Sequence, residues 1–88
     1  MPLYEIEHKW NASETNFIVG KVQEAIGLVK AGKVPPGFRP ISIVGVPGET
    51  AAHCLWEAPS ADAMDELYRK LGVKTTHTIR EVNPFFTR

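Results

Sequence analysis

Eighty-eight residues, 43% hydrophobic and 23% charged, predict a single domain over residues 1–88 with one hydrophobic core. Ten basic and ten acidic residues, interspersed, give no net charge and no Lys/Arg run, which argues against a nucleic-acid partner. No stretch approaches the roughly 18 apolar residues of a membrane span, and Met1–His8 has neither a basic start nor an apolar segment, so the expectation is a soluble cytoplasmic protein with no membrane partner.

A chain this short buries only about 60–65% of its unfolded surface, so a second copy covering one face would help it, and a homodimer is expected. The single Cys54 cannot form an internal disulfide, and the sequon at Asn11-Ala12-Ser13 has no meaning without export.

Leu3 to Trp10 alternates, with Tyr4, Ile6, His8 and Trp10 on one side and Leu3, Glu5, Glu7 and Lys9 on the other, which predicts strand one. Asn11 followed by Glu14 fits a capping box, with Ser13 as the rival cap. Ile18, Val22, Ala25, Ile26 and Val29 then recur at helical spacing, giving a helix from about residue 13 to 31 that stops at Gly32. Gly20 and Gly27 inside it each cost about 0.5–1 kcal/mol relative to Ala.

Gly32-Lys33-Val34-Pro35-Pro36-Gly37 cannot continue a helix and reads as a loop. Ile41–Val46 is a β-branched run, Pro47-Gly48 stand where a type II turn needs them, and Thr50–Ala58 returns as a third strand. Pro59 stops that strand and Ser60 caps a second helix. Its inner stripe is Met64, Leu67, Tyr68 and Leu71, and its outer face pairs Asp65 with Arg69 and Glu66 with Lys70. Gly72 ends the helix, Lys74–Val82 reads as strand four, and Asn83-Pro84 precedes an aromatic tail at Phe85 and Phe86.

Strand, helix, strand, strand, helix, strand within one short chain is the order of the α+β ferredoxin-like βαββαβ arrangement, a four-stranded antiparallel sheet in the order 4-1-3-2. Both helices then cover one face, and the bare second face, expected to carry apolar groups, invites a two-fold dimer with sheet against sheet.

That topology brings the end of strand one beside the starts of strands three and four, and with them His8, His53 and His77. Each histidine shares parity with an apolar neighbour, Ile6, Leu55 or Ile79, so one face is expected to hold all three. Strands about 4.8 Å apart allow neighbouring imidazoles to share an ion at about 2.0–2.1 Å each, with water or Glu57 completing the shell. Nickel, zinc or copper suits three such ligands. The same histidines also suit acid-base chemistry, or simply half-buried places in the fold.

Cys54 alternates with His53 and reads as a small buried apolar group. Trp10 and Trp56 read as core or dimer-interface aromatics, with a ligand platform as the alternative. Tyr4 and Tyr68 are candidates for a cavity wall, and Glu5 and Glu7 for paired carboxylates in a dimer cleft or an ordinary solvated face.

The segment His53-Cys54-Leu55-Trp56-Glu57-Ala58-Pro59-Ser60-Ala61-Asp62-Ala63-Met64, with Arg69-Lys70-Leu71-Gly72 and Ile79-Arg80-Glu81-Val82, resembles the carboxy-terminal half of a family of small domains of unknown function. That family includes a nickel-binding, nickel-responsive actinobacterial protein. The resemblance covers about thirty residues and centres on the aromatic-Glu-Ala-Pro corner, while Pro35-Pro36-Gly37 looks more like a neighbouring uncharacterised family of the same superfamily.

The resemblance implies a dimeric α+β barrel and a divalent transition metal, nickel first, with His53 the only histidine adjoining the matched corner. The wider superfamily also holds muconolactone isomerases, polyketide cyclases and cofactor-free monooxygenases, whose sites lie in the cavity between sheet and helices or partner. Fold likeness of that breadth does not choose among chemistries.

Two functions follow as expectations. The first is a homodimer that binds nickel or a related metal through His8, His53 and His77, for sequestration or sensing. The second is a small cofactor-free isomerase, cyclase or monooxygenase that holds an apolar or aromatic ligand near Tyr4, Trp10, Trp56 and Tyr68 with a histidine as acid or base. An accessory subunit without a site is the third, blander option.

Overall fold

The computed structural model describes residues 2–73 and 75–85. Lys74, assigned above to strand four, and Phe86 of the aromatic tail lie outside the described residues. β1 runs Leu3–Lys9, α1 Thr15–Lys30, β2 Arg39–Gly45, β3 Ala51–Glu57, α2 Ala61–Leu71 and β4 Thr76–Val82. The four strands form one antiparallel sheet in the order β2-β3-β1-β4, which is the ferredoxin-like βαββαβ arrangement.

Strict alternation in β1 buries Tyr4, Ile6 and His8 and leaves Leu3, Glu5 and Glu7 half-buried on the opposite face. β3 repeats the pattern, burying Ala52, Cys54 and Trp56. The register sets Ile6 opposite Cys54 on one side and Ile79 on the other, so a continuous apolar row crosses the sheet's middle. The core joins Tyr4, Ile6, Cys54, Trp56 and Ala58 of the sheet side to Met64, Leu67 and Tyr68 of α2. Ile6 and Met64 are the largest side chains with no exposure, and removing each from water contributes about 2–3 kcal/mol.

The turns and caps follow local chemistry. Glu49 N–H donates to the Val46 carbonyl across Pro47-Gly48, with Gly48 at φ +77°, as a type II turn requires. Ser60 Oγ accepts from Ala63 N–H at 3.1 Å and caps α2. Gly72 closes the same helix at φ +72°, where Val73 N–H reaches the Tyr68 carbonyl and Gly72 N–H the Arg69 carbonyl.

The entry to α1 departs from the expected capping box. Ala12–Glu14 forms a 3-10 turn, Asn11 makes no side-chain cap, and the α-helix proper starts at Thr15. The Asn11 backbone carbonyl, which accepts from Glu14 N–H at 2.8 Å, takes the place of the reciprocal side-chain bonds. β2 also begins earlier than Ile41, at Arg39, because a bulge between Pro40 and Ser42 absorbs Ile41 and lets Arg39 pair with Glu57.

α1 packs more loosely than α2. Of its sixteen residues only Ile18 is buried, while α2 buries Met64, Leu67 and Tyr68. The sheet's open face also differs from the apolar surface expected of it. Arg39 pairs with Glu57, Arg80 with Glu5 at 2.6 Å, and His53 lies 3.8 Å from Glu7, interleaved with Leu3, Leu55 and Val44. Among the described residues no helix is long and apolar enough to cross a membrane.

Candidate functional site

The end of β1, the start of β4 and the middle of α2 meet at His8. His8 is 5% exposed, and its Nδ1 shares a 2.8 Å hydrogen bond with Thr75 Oγ1 just before β4. The register places His77 directly opposite His8 on the same face, and their ring centres are 5.9 Å apart. Tyr68 of α2 closes the group, edge-on to His8 at 4.9 Å and 5.5 Å from His77. His77 Nε2–H donates to Asp65 Oδ1 at 2.8 Å, and Arg69 holds the other oxygen of that carboxylate at 2.7 Å. His77 Nδ1 is buried and has no hydrogen-bond partner among the described residues.

His53 does not join them. It pairs with Glu7 in the register, and β1 alternation puts Glu7 on the face opposite His8. The expectation of three histidines on one face is therefore corrected: His8 and His77 share the helix-covered face, and His53 stands on the open one. His53 shares parity with Leu55, but in β3 the residues facing the helices are Cys54 and Trp56, so agreement with an apolar neighbour does not identify the covered face. Among the described residues no three His, Cys, Asp or Glu side chains converge as metal ligands.

Beside His8 lies a cavity of about 50 Å³, roofed by α1 residues Ile18, Val22 and Ala25 and floored by Ala52, Cys54 and Trp56. Tyr68, Thr75 and Lys21 also line it, with Ile43, Leu71 and Val73. A void of this size exceeds the roughly 10–15 Å³ that one water needs and falls short of the roughly 150 Å³ that admits benzene. A larger guest requires the wall to move.

Several polar groups stand in this apolar setting. Burial, with the nearby His77 and His53 adding repulsion, lowers the His8 pKa from 6.5 to about 4, so His8 is a neutral base at pH 7. Burial pushes the Cys54 thiol up to about 11, against a smaller opposing effect of the nearby Tyr68 and Trp56 side chains, and makes it an inert core group as expected. Burial likewise holds the Tyr68 hydroxyl well above its ordinary range. Although both lie near Cys54, the Tyr68 hydroxyl and the Trp56 indole N–H are buried with no well-formed hydrogen bond among the described residues. Asp65 is shifted the other way, mainly by the hydrogen bond from His77 and then by Arg69, and stays a carboxylate.

Of the candidate ligand contacts, Trp56 and Tyr68 line the cavity. Tyr4 is a core residue at the far end of β1, paired in register with Trp56 and Glu81. Trp10 lies past the end of β1, where its indole N–H donates to Thr15 Oγ1 at 3.1 Å, in a separate polar cleft with Lys9, Asn11, Glu14 and Thr76. Glu57 turns to Arg39 on the open face, and that contact holds its carboxyl below the usual range.

Asp65, Thr75 and Lys21 escaped the sequence reading. Asp65 was visible only as a partner of Arg69; that it also faces β4 depends on how α2 lies across the sheet. No protein-family model, no curated protein and no solved structure matches this chain.

Proposed function

We propose that this domain binds a small apolar or aromatic molecule between the sheet and α1, with His8 as the proton acceptor. The activity would be of the cofactor-free isomerase, cyclase or monooxygenase kind. The supporting observation is a single one: a neutral imidazole, oriented by Thr75, on the wall of an otherwise apolar cavity. A base in such a place meets its substrate with little competing water, and positioning rather than a cofactor would supply the catalysis. A cytoplasmic homodimer remains part of the proposal, because a second copy on the open face would remove Leu3, Leu55 and Val44 from water.

The experiment is a ¹H–¹⁵N NMR titration with 1-naphthol as the aromatic guest. Saturable shifts at Trp56 and His8, lost in His8→Gln, support the reading. Shifts confined to the surface, or unchanged in that variant, end it.

A second reading, transition-metal binding, draws on the Asp65 to His77 contact. A carboxylate that fixes one imidazole nitrogen and leaves the other unpartnered is how metal-bound histidines are commonly held. His8, with its ring 5.9 Å away, would be the second ligand. The fit is incomplete within one chain, since His53 is on the other face and no third group converges among the described residues. Water or a second copy would have to supply the remainder.

A further inference from the structure

α1 is the least secured element, and the space beneath it is divided rather than filled. Besides the 50 Å³ cavity next to His8, a void of about 30 Å³ lies under its second half against Trp56 and Leu71. An open groove of about 270 Å³ runs between α1 and the edge strand β2. The three spaces share walls: Ala25, Trp56 and Leu71 separate the first two, Val29 borders the second and third, and Ile43 borders the first and third. Small movements of a few side chains would make one apolar channel along the inner side of the helix.

Among the described residues each of these spaces has one lysine in otherwise mostly apolar walls: Lys21 in the first, Lys33 in the second and Lys30 in the third. Lys21 and Lys30 sit on α1 and Lys33 just beyond it; Lys21 is paired with Glu24 at 3.3 Å, and among the described residues no Asp or Glu lines any of the three. An ammonium at the edge of an apolar channel matches a guest with an apolar body and an anionic head.

We infer that the seam beneath α1 takes an elongated amphipathic anion, its chain along the inner side of the helix and its carboxylate-type head at one of Lys21, Lys30 and Lys33, with α1 moving outward to admit it. This rests on the reading of the cavity as a ligand site and adds the class of the ligand. It also accounts for the contrast between the helices. α2 is fixed by three buried side chains, whereas α1 has one and can separate from the sheet at lower cost.

The test uses the full chain with dodecanoate and dodecanol below their aggregation limits, followed by calorimetry and by hydrogen exchange. Dodecanoate should bind saturably, about one per chain, and slow exchange across α1 more than across α2. Dodecanol, or dodecanoate with the folded variant Lys21→Gln/Lys30→Gln/Lys33→Gln, should bind about two- to fivefold more weakly, the worth of one partly exposed charge contact.

Equal binding of the two guests, or an unaffected triple variant, overturns the anionic class. Absence of dodecanoate binding together with 1-naphthol shifts at His8 overturns this inference and leaves the proposed function standing. Absence of both removes the two together.

Discussion

Acidification should destabilise this protein in large part through His8. In the unfolded chain His8 takes up a proton near pH 6.5, but in the folded protein only near pH 4. Between those values the unfolded state binds more protons, so stability falls as pH falls. The sign is that of a base whose folded pKa is depressed: no loss above about pH 6.5, progressive loss below it, and no further change below about pH 4.

The full gap is worth about 3 kcal/mol; about 1 of that is lost between pH 7 and pH 5.5 and about 2 by pH 4.5. Against the roughly 5–15 kcal/mol that holds a typical domain, this is a large share. The assay is urea unfolding at pH 7, 5.5 and 4.5, comparing the wild type with His8→Gln. Because the other titrating groups are common to both proteins, the difference in slope isolates His8. The variant, although weaker at pH 7, should lose about 2 kcal/mol less than the wild type on going to pH 4.5. Parallel pH profiles would refute a neutral buried His8 and, with it, the proton-acceptor role.

Other perturbations separate packing, capping and metal chemistry. Met64→Ala removes a side chain with no exposure from the centre of the core and should cost about 2–5 kcal/mol in urea unfolding. Ser60→Ala leaves Ala63 N–H without its acceptor and should cost about 1 kcal/mol, read as a lower thermal midpoint with the same fold by circular dichroism. Gly72→Ala forces a Cβ into the left-handed conformation that ends α2 and should cost about 1–2 kcal/mol, measured in the same way. Under the metal reading, calorimetry of metal-stripped protein with nickel and zinc should show binding lost in His77→Ala and kept in His53→Ala. Loss in His53→Ala would restore His53 as a ligand and contradict the placement of the site on the covered face.

Much of the architecture is written in local chemistry. Two-residue alternation specified β1, Pro47-Gly48 specified the hairpin turn, Ser60 and Gly72 bounded α2, and the 3.6-residue stripe of Met64, Leu67 and Tyr68 named the core face of that helix. These signals act over a few residues, so they survive being read one segment at a time. The order of elements then restricted the sheet to β2-β3-β1-β4.

The site was only half legible. The topology alone places His8 beside His77, because adjacent antiparallel strands bring the end of one to the start of the other. Which face each histidine occupies depends on which of two alternating rows the helices cover. In β3 both rows carry apolar residues, Leu55 on one and Cys54 and Trp56 on the other, so the sequence pattern does not choose between them.

Tertiary packing made that choice by burying Trp56 and Cys54 against α2, which sent His53 to the open face beside Glu7. The same packing decided the partners Asp65 and Thr75, which approach the histidines from other elements and have no fixed spacing to them. By itself the sequence determined the elements, their order and the nearness of His8 to His77, since those follow from short-range periodicity and connectivity. Only the tertiary structure decided which face is covered, how loosely α1 lies over it, and that His8 is dry enough to be neutral, because burial is set by all the elements together.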